Sequence, residues 1–152
     1  MVKEKLTDDL KAAMKEGRVF ELGVLRMISA ALHNKEIEKK GKGGDGELSD
    51  DDVLAVFRTE AKKRKDAAAL YSQGGRGDLK EKEEKEIAVI ERYLPRQASS
   101  EEVEKAVNDA IASIGASSMK DMGRVIAEAI INLGGRGDGS VVSAVAKQKL
   151  GA

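Results

Sequence analysis

The chain has no cysteine and no tryptophan, one proline, one histidine and only 3% aromatic residues among its 152. Without cysteine there are no disulfides, no thiolate nucleophile and no Cys-ligated zinc. His33, with no second histidine and no spaced carboxylate set, completes neither a metal site nor an imidazole acid-base pair, so metals and cofactors are not expected. No apolar run reaches the roughly 20 residues that span a bilayer. The opening Met1-Val2-Lys3-Glu4-Lys5-Leu6 is charged and has no apolar signal segment behind it. The expectation is a cytoplasmic protein in a reducing compartment, with no membrane association. Charge of one sign is also missing: 27 basic residues face 27 acidic ones, so no global field draws in DNA or an anionic membrane.

What remains is rich in Ala, Glu, Lys and Leu, a composition that favours helix over sheet. Leu6, Leu10, Ala13 and Met14 recur at helical spacing before Gly17, which marks a first helix and its end. A second is predicted from about Glu21 to Lys40, with Leu22, Leu25, Ile28 and Leu32 on one stripe. The glycine-rich stretch 41–46 that follows reads as a mobile loop. Ser49 before Asp50, Asp51 and Asp52 is a helix start, because a serine oxygen caps free amides and carboxylates complement the positive helix end. The third helix carries Val53, Leu54, Phe57, Ala61, Ala68 and Tyr71 to Gly74, about 37 Å at the helical rise. The fourth follows Asp78, buries Ile87, Ile90 and Leu94, and stops at Pro95, which cannot continue the hydrogen-bond ladder.

Beyond Pro95, Ser99 or Ser100 opens a fifth helix with Val103, Val107, Ile111 and Ile114 in register, closed by Gly115. Ser117 or Ser118 caps a sixth with Met122, Val125, Ile126, Ala129, Ile130 and Leu133 on a broad apolar face. A short seventh carries Val142, Val145 and Leu150. The expected architecture is all-α: a four-helix N-terminal domain over residues 1–95 and a small three-helix C-terminal domain over 96–152. The first holds 20 basic and 20 acidic residues and the second 7 and 7, so bulk charge marks neither as a nucleic-acid module.

Gly74-Gly75-Arg76-Gly77-Asp78 recurs letter for letter at Gly134-Gly135-Arg136-Gly137-Asp138. Glycine after one helix and aspartate before the next explain both copies as cap chemistry, the favoured reading over an adhesion tripeptide. The sharper alternative for the second copy is a phosphate cradle of glycine amides beside Arg136. Neither copy continues as a nucleotide P-loop, and nucleotide hydrolysis is rejected. Arg58-Thr59-Glu60-Ala61-Lys62-Lys63-Arg64-Lys65 concentrates five cations against one carboxylate, with Arg58, Lys62 and Lys65 on one face. That stripe could follow a phosphate backbone or dock a partner, but a solvated face paired with the acidic segment Glu81–Glu86 is favoured. The aspartates at 50–52 are explained by the helix dipole, and no Gly-x-Ser-x-Gly elbow or activated nucleophile is present.

Several blocks together resemble the GatB/YqeY family: Leu25-Arg26-Met27-Ile28-Ser29-Ala30-Ala31-Leu32, Arg64-Lys65-Asp66, Glu86 through Tyr93-Leu94-Pro95, and Asp121-Met122-Gly123-Arg124-Val125. The match covers nearly the whole chain in order. It implies a free-standing relative of the C-terminal region of the aspartyl/glutamyl-tRNA amidotransferase B subunit, associated by family with carbon-nitrogen ligation using glutamine as amido donor. In that larger enzyme the region contacts transfer RNA while other parts carry the chemistry, so the resemblance implies recognition and no catalysis. The family's tail block falls on Met122, Gly123, Arg124 and Val125, and its glycine loop on Gly135, Arg136, Asp138 and Gly139. Gly137 stands where the family usually has alanine. Ser140 stands where a lysine is common, which removes a phosphate contact.

The leading expectation is a non-catalytic module presenting Lys120, Arg124, Arg136, Lys147 and Lys149 to structured RNA, transfer RNA above all. The alternative is a protein adaptor whose Arg58, Lys62 and Lys65 stripe docks on an amidotransferase subunit or another protein. A third reading, an independent glutamine-dependent amidotransferase, lacks every nucleophile such chemistry uses.

Overall fold

A computed structural model describes residues Met1–Gly151. These residues form seven α-helices and one 3-10 turn, with no strand among them. The helices are α1 (Val2–Glu16), α2 (Val19–Gly41), α3 (Asp50–Gln73), α4 (Gly77–Glu91), α5 (Ser100–Ile114), α6 (Met122–Asn132) and α7 (Gly139–Leu150). The chain divides into two compact units, the first Met1–Leu94 and the second from Pro95 onward.

Local chemistry sets the helix ends. Ser49 accepts from the Asp52 amide at 3.1 Å while the Asp52 carboxylate accepts from the Ser49 amide at 3.0 Å. Ser99 and Glu102 repeat this reciprocal box at the start of α5. Each box satisfies two amides that the first helical turn leaves unpaired. The Ser49 amide, with Lys39 and the Ser49 hydroxyl adding to it, lowers the Asp52 carboxyl to about 2. α1 and α5 close on Gly17 (φ 71°) and Gly115 (φ 72°), the left-handed conformation that a side chain resists.

Three boundaries differ from expectation. α2 begins at Val19, where Gly17 and Arg18 already complete the turn. α4 begins at Gly77 on an Arg76 N-cap with no side-chain cap, so Asp78 lies inside the first turn and is not a cap. Its carboxylate takes a two-point bond from the Arg76 guanidinium, 3.2 Å at each oxygen. Ser118 caps the 3-10 turn Met119–Asp121, and α6 follows from Met122. Around the 41–46 stretch the Gly44 amide donates to the Lys39 carbonyl at 3.1 Å, and Lys39 Nζ donates to the Glu47 carbonyl just beyond it at 2.6 Å.

The core of the first unit is built on Phe57, Leu25, Ile28 and Ile90, all essentially solvent-free, with Leu6, Leu32 and Val53 around them. Burying each such side chain contributes roughly 1.5–3 kcal/mol. α3 and α4, joined by a three-residue turn, pack as an antiparallel hairpin. Between them lies Arg64, buried against Glu86 at 3.1 Å and Glu60 at 2.9 Å. Tyr93 stacks at 5.0 Å on Phe57, donates to the Asp9 carboxylate and lies under Lys5, which ties α1 to the end of α4. In the second unit Val103, Val107, Val125 and Val142 meet across Ala106, Ala110, Ala129 and Ala146. The alanines allow α5, α6 and α7 to approach closely. Ile111 and Ile114 lie at the edge of that core rather than within it.

Candidate nucleic-acid interface of the second unit

The second copy of the glycine pentapeptide connects α6 to α7. Gly134 (φ 59°) and Gly135 (φ 78°) both take the left-handed conformation, so glycine is the residue this turn requires. The turn is then pinned to α5. The Arg136 carbonyl accepts from the Ala98 amide at 2.8 Å, and the Arg136 guanidinium donates to Glu102 at 3.2 Å. Glu102 uses its other oxygen in the α5 capping box. The Ser99 amide first, and Arg136 second, hold its carboxyl below the usual carboxylate range.

With Arg136 taken by α5, Asp138 is left to cap α7. Its Oδ1 accepts from the Ser140 amide at 2.8 Å and from the Ser140 hydroxyl at 2.7 Å. At the start of α7 the chain's own carboxylate thus takes the Ser140 amide. Ser140, where the family commonly has lysine, is part of that cap. A Cβ on Gly137 would lie 2.5 Å from Leu133 Cδ1 and 3.3 Å from Val142 Cγ2, so the family's alanine would require Leu133 to move.

The five cations separate into two sets. Lys120 and Arg124 lie four residues apart at the 3-10 turn and the first turn of α6, on one exposed face. Arg124 makes only a 3.8 Å contact to Asp121. Lys147 lines a shallow groove with Met119, Ala144, Gln148 and Gly151, which brings it to the residue preceding Lys120. Lys120 and Lys147 carry no ion pair among the described residues. Arg136 and Lys149 are held by α5, the latter through Glu104 at 2.7 Å. A phosphate approaching either meets the carboxylate that already holds it. Arg136 has five donors and only one is used on a side chain, so it can add a partner without surrendering Glu102.

The α3 stripe of the first unit is less uniform than its spacing implies. Lys62 is exposed and Arg58 half-buried, both without an ion pair among the described residues, while Lys65 is bound to Glu91 at 3.1 Å. Arg64, in the same cationic run, points inward. The Glu60–Arg64 spacing of four was its only sequence signal, and nothing local announces Glu86, 22 residues away. Among the described residues no three His, Asp or Glu side chains are grouped to hold a metal, and no helix is long and apolar enough to cross a membrane.

An all-helical chain of two compact units, with a glycine-turned, cation-bearing second unit, belongs to the class of small all-α proteins. The family model described as Yqey-like protein matches residues 3–150, and the chain belongs to the YqeY family. An uncharacterized protein of Schizosaccharomyces pombe is 33% identical over 100 residues, 66% of this chain and 74% of that one. Altered inheritance of mitochondria protein 41 of Vanderwaltozyma polyspora is 30% identical over 123 residues, covering 77% of this chain and 64% of its own length. Its counterpart in Kluyveromyces lactis is 35% identical over 105 residues, covering 67% and 54%. The chain thus spans about half to two thirds of these two relatives, whose names place them in mitochondria.

Proposed function

We propose that the second unit, bounded at Pro95–Arg96 as a domain of its own, is a non-catalytic module that binds structured RNA, with transfer RNA as the class. The supporting observation is the exposed set Lys120, Arg124 and Lys147, joined by an Arg136 that retains spare donors beside the glycine turn. Such a set contacts phosphates and sugar edges of a folded RNA by shape, without reading bases. The sequence carries no nucleophile elbow or activated nucleophile, so its proposed link to glutamine-dependent carbon-nitrogen ligation is as an accessory to an enzyme. The cytoplasm is its proposed location. Electrophoretic mobility shift with total transfer RNA at low and moderate salt tests the proposal. A retarded complex that Arg136→Glu abolishes is expected, and no shift at tens of micromolar protein would overturn it.

One observation favours a second reading. Charge is balanced in both halves, and Arg136 and Lys149 are already neutralised by α5, which suits a surface that meets protein. In that case Arg58, Lys62 and Lys65 dock on an amidotransferase subunit or another protein. Capture from native extract separates the two. Retention of one protein after RNase supports the adaptor, and loss of every partner after RNase supports the RNA module.

A further inference from the structure

α2 buries one face in the first unit and leaves the other largely exposed, with Met27 Sδ reached by Arg64 Nη2 at 3.8 Å and Phe20 lying beside the start of α4. On the free face Phe20, Gly23, Met27, Ala30, Asn34 and Ile37 are all exposed. They recur at alternating steps of three and four residues, the spacing of a coiled-coil seam. The large members are 45% (Phe20), 44% (Met27) and 55% (Ile37) exposed, with Val19 beside them at 79%. An apolar stripe of this kind on a helix surface marks a packing face.

Gly23 is the second indication. It lies inside α2 with ordinary helical backbone, and a Cβ there would meet nothing within 4 Å. A helix-interior glycine weakens the helix relative to alanine, and nothing in this chain's own fold requires one here. A small residue on an exposed seam serves the close approach of another backbone.

The order of the seam identifies that other backbone. Laid antiparallel on itself about an axis between Met27 and Ala30, α2 places Phe20 on the second copy's Ile37, Gly23 on its Asn34 and Met27 on its Ala30. The same three layers recur in reverse. Large meets small in the inner layers, and the outer layers are apolar. Asn34, which makes no side-chain hydrogen bond within its own chain among the described residues, comes to lie over the backbone that Gly23 bares. The flanks place Arg26 opposite the second copy's His33 and Lys40 opposite its Val19. With a net charge of zero, two copies approach without global repulsion.

We propose that this free face of α2 is the seam of a two-fold antiparallel dimer of the chain. The strip is ~26 Å long and ~10 Å wide, so side-chain relief brings the buried surface to roughly 500 Å² per copy. The total, near 1,000 Å², just reaches the size of a specific interface and falls short of the standard ~1,600 Å². The dimer is therefore weak and concentration-dependent. It is an isologous contact, so one substitution acts twice.

Sedimentation velocity on the full chain from about 1 μM to about 1 mM should show a monomer becoming a dimer. Gly23→Glu should weaken the dimer by more than about a hundredfold, since each interface then carries two buried, unpaired carboxylates. The open space at this position keeps the monomer folded, which circular dichroism verifies. The cysteine-free background makes the register readable. Phe20→Cys and Ile37→Cys should each fail to form disulfide dimers alone and form them when mixed, because only the mixed pair comes within disulfide reach. A monomer at every concentration would leave this face to a different partner and overturn the proposal. Homotypic cross-links, which indicate a parallel pair, or a dimer indifferent to Gly23→Glu would also overturn it.

Discussion

Arg64→Met is the substitution whose cost the structure defines most closely. Arg64 and Glu86 are each 8% exposed, and Glu86 has no other cation within ion-pair distance among the described residues. Methionine keeps the stem packing of the arginine and removes its guanidinium, which leaves Glu86 buried and alone. Breaking a buried pair in this way costs about 3–5 kcal/mol. Glu60 adds little, because it keeps Lys63 at 3.1 Å. Urea unfolding followed by tyrosine fluorescence isolates the effect. There is no tryptophan, and both tyrosines, Tyr71 and Tyr93, lie in the first unit. Arg64→Met/Glu86→Met should return to within about 1 kcal/mol of the parent, since an apolar pair replaces the ionic one at similar volume. A single-variant loss under about 1 kcal/mol, or a double variant as unstable as the single, would refute the reasoning.

Burial, and then the Asp9 carboxylate, push the Tyr93 phenol well above the ordinary value of 10.0. A raised folded pKa means that this contribution is whole below pH 10 and is lost as pH rises beyond it. The parent's first unit should weaken above pH 10 in denaturant titrations, and Tyr93→Phe, about 1 kcal/mol less stable at pH 7, should lack that decline. Val125 is fully buried where α5, α6 and α7 meet, so Val125→Ala should cost about 1–3 kcal/mol in the second unit. Amide hydrogen exchange should show faster opening of α5 to α7, with no change in α1 to α4. The α2 seam adds its own expectation, a dimer that Gly23→Glu abolishes.

The parts of the fold carried by neighbouring residues were legible in the sequence. The serine caps at Ser49 and Ser99, the Gly17 and Gly115 stops and the apolar stripes of α2 and α6 need only a few consecutive turns to be recognised. The repeated pentapeptide shows where such reading ends. In the second copy Glu102 takes the guanidinium and Asp138 caps α7. In the first copy no such carboxylate takes Arg76, which turns on Asp78 instead. Identical letters therefore make different structures because a tertiary partner is available to one of them.

The same limit applies to the candidate site. Lys120, Arg124, Arg136, Lys147 and Lys149 were chosen from a family resemblance and a glycine turn. That Arg136 and Lys149 would be held by α5 depends on contacts 34 and 45 residues away in sequence. Arg64 was hidden among exposed lysines because its direction is decided by Glu86 across the hairpin.

An RNA-binding second unit without chemistry of its own is checked by titrating transfer RNA at several salt concentrations. If Lys120, Arg124 and Lys147 each displace a phosphate counterion, log affinity should fall against log salt with a slope of about −2 to −3. Arg136→Glu should remove the binding altogether. Absence of binding at tens of micromolar protein in low salt, or an affinity that salt leaves unchanged, would contradict the claim.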